Sequence, residues 1–279
     1  MRVQFCGVRG SMPAPGHDFE RYGGSTSCVA LCHDDARAPS LLLDVGSGVR
    51  RATELLAGAP FLGSVLLSHL HWDHTQGIPF FGAGNRDGAR VRVFVPDQGD
   101  GTSPEALIAK MMSPPSFPIG PEGLRGDWTF EPIGEGSIEL EGFEITALEV
   151  PHRGGRTFGY RVADAHSALA YLPDHCPTDF GAGPDGVGAY HDAAMSLARG
   201  VDALIHDAAL IAEELAARAV YGHAAAEYAV GLGRAAGAGS VVCFHHAPDR
   251  SDEEIDAIWA RLGEPPGLLM ASEGLVLDL

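Results

Sequence analysis

The sequence predicts a layered α/β fold, and three observations predict it. Short apolar runs of buried-strand type recur along the chain, as at Ser64-Val65-Leu66-Leu67. Stretches with helix start and stop signals lie between them. Histidines and aspartates repeatedly follow the apolar runs, and in layered α/β folds sites gather at strand ends. A length of 279 residues with 45% hydrophobic content suits one domain spanning 1–279.

In chain order, residues 3–5 read as a strand, and Gly7-Val8-Arg9-Gly10-Ser11 turns it sharply. Arg21-Tyr22-Gly23-Gly24-Ser25-Thr26-Ser27-Cys28 is a second glycine-rich turn, leading into a strand at 29–32. Arg9, Arg21 and Ser25 are candidates to line a pocket and meet a phosphate. Turn chemistry with surface ion pairs accounts for the same residues equally well. Leu41–Leu43 is a strand ending in the acidic turn Asp44-Val45-Gly46-Ser47-Gly48, and 49–57 reads as a helix stopped by Gly58.

The stretch Ser68-His69-Leu70-His71-Trp72-Asp73-His74-Thr75-Gln76-Gly77 organises the chain. It follows a strand, and Gly77 and Pro79 break regular structure after it. His69 and His71 are two apart, so on an extended backbone they point the same way. Asp73 and His74 lie past the strand end, where a turn can aim them at a second point nearby. Imidazole and carboxylate are ligands for zinc, iron or manganese.

Residues 91–95 form the next strand, and Ser103 caps a helix with Pro104 at its first position and Met112 near its end. Met111-Met112-Ser113-Pro114-Pro115-Ser116-Phe117-Pro118 is a stiff apolar loop. It is a candidate to cover a pocket, with Phe117 touching substrate, to pack against a second subunit in a homodimer, or to fill core. A hairpin at 137–150 turns around Gly142 and delivers Pro151-His152-Arg153-Gly154-Gly155. Strands at 158–162 and 168–172 precede Pro173-Asp174-His175. After a helix at 189–199, the strand at 201–208 carries His206-Asp207-Ala208, and Tyr221-Gly222-His223-Ala224 opens a helix at 225–236 that ends at Gly237. The strand from Ser240 ends in His245-His246, Ser251-Asp252-Glu253-Glu254 is a capping box opening a helix to 262, and strands close the chain at 268–270 and 275–277.

Composition narrows the function. Nineteen Lys+Arg against 37 Asp+Glu give a net charge of −18, which argues against gripping nucleic acid by its phosphates. Five cysteines at 6, 28, 32, 176 and 243 form no disulfide framework. The N-terminus lacks a signal-type apolar region, and no apolar run approaches a membrane span, so a cytoplasmic protein with reduced thiols is expected.

His69-x-His71-x-Asp73-His74 resembles the signature of the metallo-β-lactamase-fold hydrolases, and the turns at 7–11 and 21–28 resemble its phosphodiesterase-like branch, which includes tRNase Z and cyclic-phosphate phosphodiesterases. The resemblance implies a four-layer αβ/βα sandwich with one or two metals at one edge of two facing sheets. By the same resemblance, His69, His71 and His152 hold one divalent ion, Asp73, His74 and His245 a second, and Asp174 is shared. Zinc is the expected metal, with manganese or iron as alternatives. Asp44 then orients the histidine loop. His246 is a weaker rival to His245, and the place of His175 is left open. Departures from the branch are Ser25 where Asn is expected, Pro173 and His175 around Asp174, Asp207 where Glu is expected, and Ala224 after His223.

Two such ions suit hydrolysis through a bridging hydroxide. Asp73 can steer the water, and His223 is the candidate acid for the leaving group, with Asp207 holding its tautomer. No long glycine-rich or basic arm for RNA is found. The expected substrate is therefore a small or cyclic phosphodiester, a cyclic nucleotide or cyclic phosphate. The alternatives are a thioester or lactone hydrolase on the same metals, a tRNase Z-like endoribonuclease, or a metal-dependent oxidoreductase or non-catalytic binding protein.

Overall fold

The structure, a computed structural model, describes residues 1–279. Apolar residues alternate sides along strands that are buried on both faces. In the strand Ala168–Leu172, Leu169 and Tyr171 face one apolar cluster while Ala168, Ala170 and Leu172 face another. A strand with two buried faces needs covering layers on both sides, and that requirement sets the architecture.

Two seven-stranded sheets result. The first holds β1 (Arg2–Gly7), β2 (Cys28–Cys32), β3 (Leu41–Leu43), β4 (Leu62–Leu66), β5 (Arg90–Pro96) and β6 (Asp127–Ile133). The second runs from β7 (Gly136–Leu140) through β8 (Phe143–Val150), β9 (Thr157–Ala163), β10 (Ala168–Leu172), β11 (Ala203–Asp207) and β12 (Ser240–Phe244) to β13 (Leu268–Met270). The last strand, β14 (Val276–Asp278), returns to pair with β1 in the first sheet. Strands β3 to β6 are parallel to one another, and so are β10 to β13.

The helices are α1 (Val49–Leu55), α2 (Trp72–Thr75), α3 (Pro104–Ala109), α4 (Asp192–Ala198), α5 (Leu215–Arg218), α6 (Ala226–Ala236) and α7 (Asp252–Arg261). Parallel neighbours need long crossovers, and α1, α3, α4, α6 and α7 supply them. The central apolar cluster joins Phe5, Leu31, Leu43 and Phe94 of the first sheet to Phe143, Phe158, Tyr171 and Phe244 of the second. A second cluster fills the space between β10–β12 and α4, α6 and α7, and a third fills the space between β2–β5 and α1 and α3. Three apolar seams between helices, sheet, sheet and helices make the four-layer αβ/βα sandwich that was expected.

Most elements fall where the sequence placed them. The capping box at Ser251 and Glu254 forms, with Ser251 Oγ accepting the Glu254 N–H at 3.2 Å. Gly237 takes the left-handed conformation that closes α6, with φ of 70°. Several boundaries differ, those of the helices most. The helix expected to reach Met112 ends at Ala109, although Met112 is buried beyond it. The helix expected at 189–199 begins at Asp192, and α1 stops at Leu55. Strand β6 escaped the sequence reading. It is an edge strand, half exposed, and its Asp-Trp-Thr-Phe-Glu-Pro-Ile mixture reads poorly as a strand.

Candidate metal centre

The centre forms where strands of both sheets end on the same edge. Asp44 follows β3, the histidine loop follows β4, His152 follows β8, Asp174 follows β10, Asp207 closes β11 and His245 follows β12. In chain order these groups are far apart: His74 and His245, 171 residues apart, bring their Nε2 atoms within 3.2 Å.

The donor atoms form five overlapping triads, each with its atoms within 4.8 Å of one another. One is His69, His71 and His152 and another is Asp73, His74 and His245; the other three join His69, His74 and Asp174, then His152, Asp174 and His223, and then Asp207, His223 and His245. Asp174 lies between the first two sets with one oxygen toward each. Its Oδ1 is 3.4 Å from His152 Nε2 and 3.9 Å from His69 Nε2. Its Oδ2 is 3.0 Å from His74 Nε2 and 3.3 Å from His245 Nε2.

The outer hydrogen bonds fix which ring nitrogens keep free lone pairs. Asp44, fully buried, accepts from His74 Nδ1 at 2.7 Å, so His74 Nε2 faces the centre. Ser68 Oγ gives its only proton to Asp44 at 2.8 Å and therefore accepts from His69 Nδ1 at 3.1 Å, which frees His69 Nε2. The Gly222 carbonyl accepts from His152 Nδ1 at 2.7 Å. The Ser11 N–H donates to Asp73 Oδ2 at 2.7 Å. Asp44 and His245 both sit at positive φ, 57° and 59°, a strain that the surrounding packing imposes.

Two observations show that these residues fit a metal. His69 Nε2 and Asp174 Oδ2 are buried without a hydrogen-bond partner, although each is aimed at the centre. A buried lone pair without a donor is costly unless a cation meets it. Charge points the same way. Burial opposes ionisation of His74, yet Asp73, Asp174 and Asp44 together raise its pKa well above the ordinary value. Burial likewise opposes ionisation of Asp174, but His245, His74, His69 and His152 hold its carboxyl far below the usual range. Burial is the largest cause lowering the pKa of His69, His71 and His152, and Asp174 opposes it in each.

His223 stands beside the two sets. Its Nδ1 donates to Asp207 Oδ2 at 3.0 Å and lies 3.6 Å from Asp174 Oδ1. Burial disfavours its charge, but Asp207, then Asp174 and Asp73, outweigh that and raise its pKa to about 9. A cavity of about 510 Å³ opens over the centre, lined by Asp73, His152, Asp174, His223, His245 and the exposed Tyr221. A second, of about 320 Å³, adjoins His69 and His71 and shares Leu70, His71 and Trp72 with the first. Trp72, 74% exposed although it lies within the histidine loop, borders both.

Three expected substrate contacts sit away from both cavities. Arg9 is fully buried and donates to the carbonyls of Gly23 at 2.7 Å and Arg250 at 2.6 Å, so it ties the N-terminal turns to the loop before α7. Arg21 is paired with Asp256 on α7 at 2.6 Å. Ser25 is held by its backbone, its N–H donating to Glu273 and its carbonyl accepting from Val8 and Arg9. None of the three lines either cavity. Phe117 lies nearer, packed edge-on to Phe80 at 5.8 Å in an apolar groove that shares Trp72 with the cavities.

His246 points away from the centre and donates from Nε2 to the Ala271 carbonyl at 2.9 Å. His175 belongs to a separate buried chain. His206 Nδ1 donates to the Asp207 carbonyl, His175 Nδ1 to His206 Nε2, and His191 Nε2 to His175 Nε2. Sequence reading missed Ser68, Tyr171 and the Gly222 carbonyl. Ser68 is adjacent to the motif and was open to inspection. Tyr171, whose hydroxyl donates to Asp44 at 2.8 Å, is hidden in an apolar strand.

Two facing sheets between helical layers, with a histidine–aspartate centre at one edge, define a metallo-β-lactamase fold. The chain belongs to the β-lactamase superfamily, whose superfamily domain matches residues 40–246. It is similar to the ribonuclease Z of Natronomonas pharaonis, 27% identical over 169 residues, which is 59% of this chain and 48% of that protein. The chain thus spans about half the length of the curated relatives it matches. The metallo-β-lactamase-fold protein YhfI of Bacillus subtilis superposes with a TM-score of 0.72 at 20% identity, over 99% of each chain. A diphosphatase of the PhnP family superposes with a TM-score of 0.68 at 18% identity, over 100% of this chain and 97% of that one. At these identities the superpositions speak for the fold alone. No helix is long and apolar enough to cross a membrane.

Proposed function

We propose that the protein is a phosphodiesterase acting on small or cyclic phosphodiesters, with His69, His71 and His152 holding one divalent ion, Asp73, His74 and His245 a second, and Asp174 contacting both. Zinc suits the nitrogen-rich donor set. When bound, such ions activate a water near neutral pH and draw off charge that builds on phosphoryl oxygens. The chain supplies the rest. Asp73, fixed by the Ser11 N–H, offers a second oxygen for orienting a water. His223 is held in one tautomer by Asp207, which also raises its pKa against the effect of burial, so its Nε2 side is the one free to give a proton to a leaving oxygen.

The observation that carries this reading is the His223–Asp207 pair beside the donor sets. His223 also lies within ligand reach of His152 and Asp174. Its Nδ1 is spent on Asp207, and this favours the acid role. The test is metal content and rate together. Protein loaded with zinc or manganese should hold close to two equivalents and cleave bis(p-nitrophenyl) phosphate or a 2′,3′-cyclic nucleotide. One equivalent at full activity would remove the two-metal reading, and thioester or lactone cleavage without diesterase activity would remove the substrate class.

RNA is a second reading, favoured by the match to a ribonuclease Z. The net charge of −18 weighs against it. A cytoplasmic protein, with the apolar groove at Trp72, Phe80 and Phe117 serving as a homodimer contact, completes the proposal.

A further inference from the structure

Lys110 is the one lysine in the chain. It stands exposed at the C-terminal end of α3 and lines the cavity beside His69 and His71, with no carboxylate within 4.0 Å. Across that cavity runs Arg153-Gly154-Gly155-Arg156. The two glycines have φ of 82° and 158°, and a Cβ on Gly154 would meet His71 Nε2 at 2.8 Å. The backbone therefore approaches the centre more closely than any other residue would permit. The Gly154 and Gly155 N–H groups donate to no protein acceptor, while the next one, on Arg156, donates to Gln98 Oε1 at 3.1 Å.

The flanking arginines are anchored. Arg153 pairs with Asp179 through both terminal nitrogens, and Arg156 pairs with Glu149 at 2.8 Å. Asp100 is the one carboxylate lining the cavity, and its side chain accepts the Thr102 N–H. With both arginines paired to carboxylates, Lys110 is the one cation on this wall without a protein counter-charge. Successive free backbone N–H groups with a lysine opposite are an anion-binding arrangement. A phosphomonoester, with three acceptor oxygens and nearly two charges, matches it better than a carboxylate does.

We propose that this arm of the cleft holds a phosphate of the substrate that is not itself cleaved. The proposal rests on the phosphodiesterase reading. It narrows the substrate to a small phosphodiester bearing a second, terminal phosphate, of the chemical type of a nucleoside 2′,3′-cyclic phosphate with a 5′-phosphate.

The experiment compares 2′,3′-cyclic nucleotides with and without the 5′-phosphate on metal-loaded protein, as wild type, Lys110→Ala and Lys110→Arg. Wild type should prefer the 5′-phosphorylated form in kcat/KM. Lys110→Ala should shrink that preference by about 10- to 100-fold, mostly through KM, and Lys110→Arg should restore much of it. Calorimetric titration of phenyl phosphate into metal-free protein gives a second readout, with binding weakened in Lys110→Ala and retained in Lys110→Arg. Hydrolysis of both nucleotides at equal efficiency, with the titration unaffected by Lys110→Ala, would overturn the subsite while leaving the diesterase reading intact. If neither nucleotide is hydrolysed, the diesterase reading fails, and the titration alone then decides whether the anion site exists.

Discussion

Asp207 Oδ2 accepts three hydrogen bonds, one from His223 Nδ1 at 3.0 Å and two from the backbone N–H groups of His175 and Ala224 at 3.1 and 3.2 Å. The two backbone donors fix the carboxylate, and the carboxylate fixes the imidazole. Asp207 closes β11, His175 follows β10 and Ala224 precedes α6, so three elements set the orientation of one ring.

That relationship makes His223 testable by leaving group. General acid catalysis is worth roughly 10²–10⁴-fold on a poor leaving group such as a ribose oxygen. His223→Ala should lose about that much rate on a cyclic nucleotide and far less on bis(p-nitrophenyl) phosphate, at unchanged metal content. Equal loss on both substrates at full metal loading would exclude the acid role, and a fall in bound metal would make His223 a ligand.

Asp44 should govern metal affinity without touching metal. It fixes His74 directly and His69 through Ser68. Asp44→Asn places an amide where an acceptor is needed and should weaken metal binding by about 10- to 100-fold. Competition with a chelator reads this directly. Unchanged affinity would mean that the ring orientations do not depend on Asp44.

Removal of ligands should lower the metal count. His69→Ala and Asp174→Ala should each leave fewer equivalents than the wild type by elemental analysis. Asp174→Ala should lower the occupancy of both positions because its two oxygens face different sets. Undiminished metal content in Asp174→Ala would rule out sharing.

The metal-free protein should lose stability below about pH 6.5. Burial, followed by the charge of Arg9, pushes His246 down to about 3, and burial also lowers His175 and His206. Above the ordinary histidine pKa these rings are neutral in both folded and unfolded chains. Below it the unfolded chain takes up protons that the folded one refuses, so stability falls with pH until the folded pKa is passed. His246 alone should cost about 2 kcal/mol by pH 5. Denaturant unfolding from pH 5 to 7.5 should show this slope, and His246→Gln, which keeps a donor for the Ala271 carbonyl, should reduce it by nearly one proton. Identical slopes would contradict the assignment.

The fold was legible where local pattern was strong. Strands β3, β10 and β12 are apolar runs that end on a charged or polar turn, and α6 and α7 carry their own stop and cap. Strand β6 was not, because an edge strand with one wet face needs no continuous apolar run. Within the site, spacing exposed His69, His71, Asp73 and His74 because a strand end and a short turn already aim them. Arg9, Arg21 and Ser25, for which the sequence left pocket lining and turn chemistry equally open, sit on glycine-rich turns whose partners lie far along the chain. Arg9 is 241 residues from the Arg250 carbonyl that it binds.

By itself the sequence determined the types of candidate ligand, their order along the chain and their positions at strand ends, since these follow from side-chain chemistry and from backbone periods of two to four residues. Only the tertiary structure decided that the two oxygens of Asp174 face different donor sets, that Asp207 holds His223, and that His175 joins His206 and His191 instead of the centre. Those outcomes depend on how two separately formed sheets register edge to edge. That register is set by the packing of some two dozen buried side chains across the central seam, and no stretch of the chain contains it.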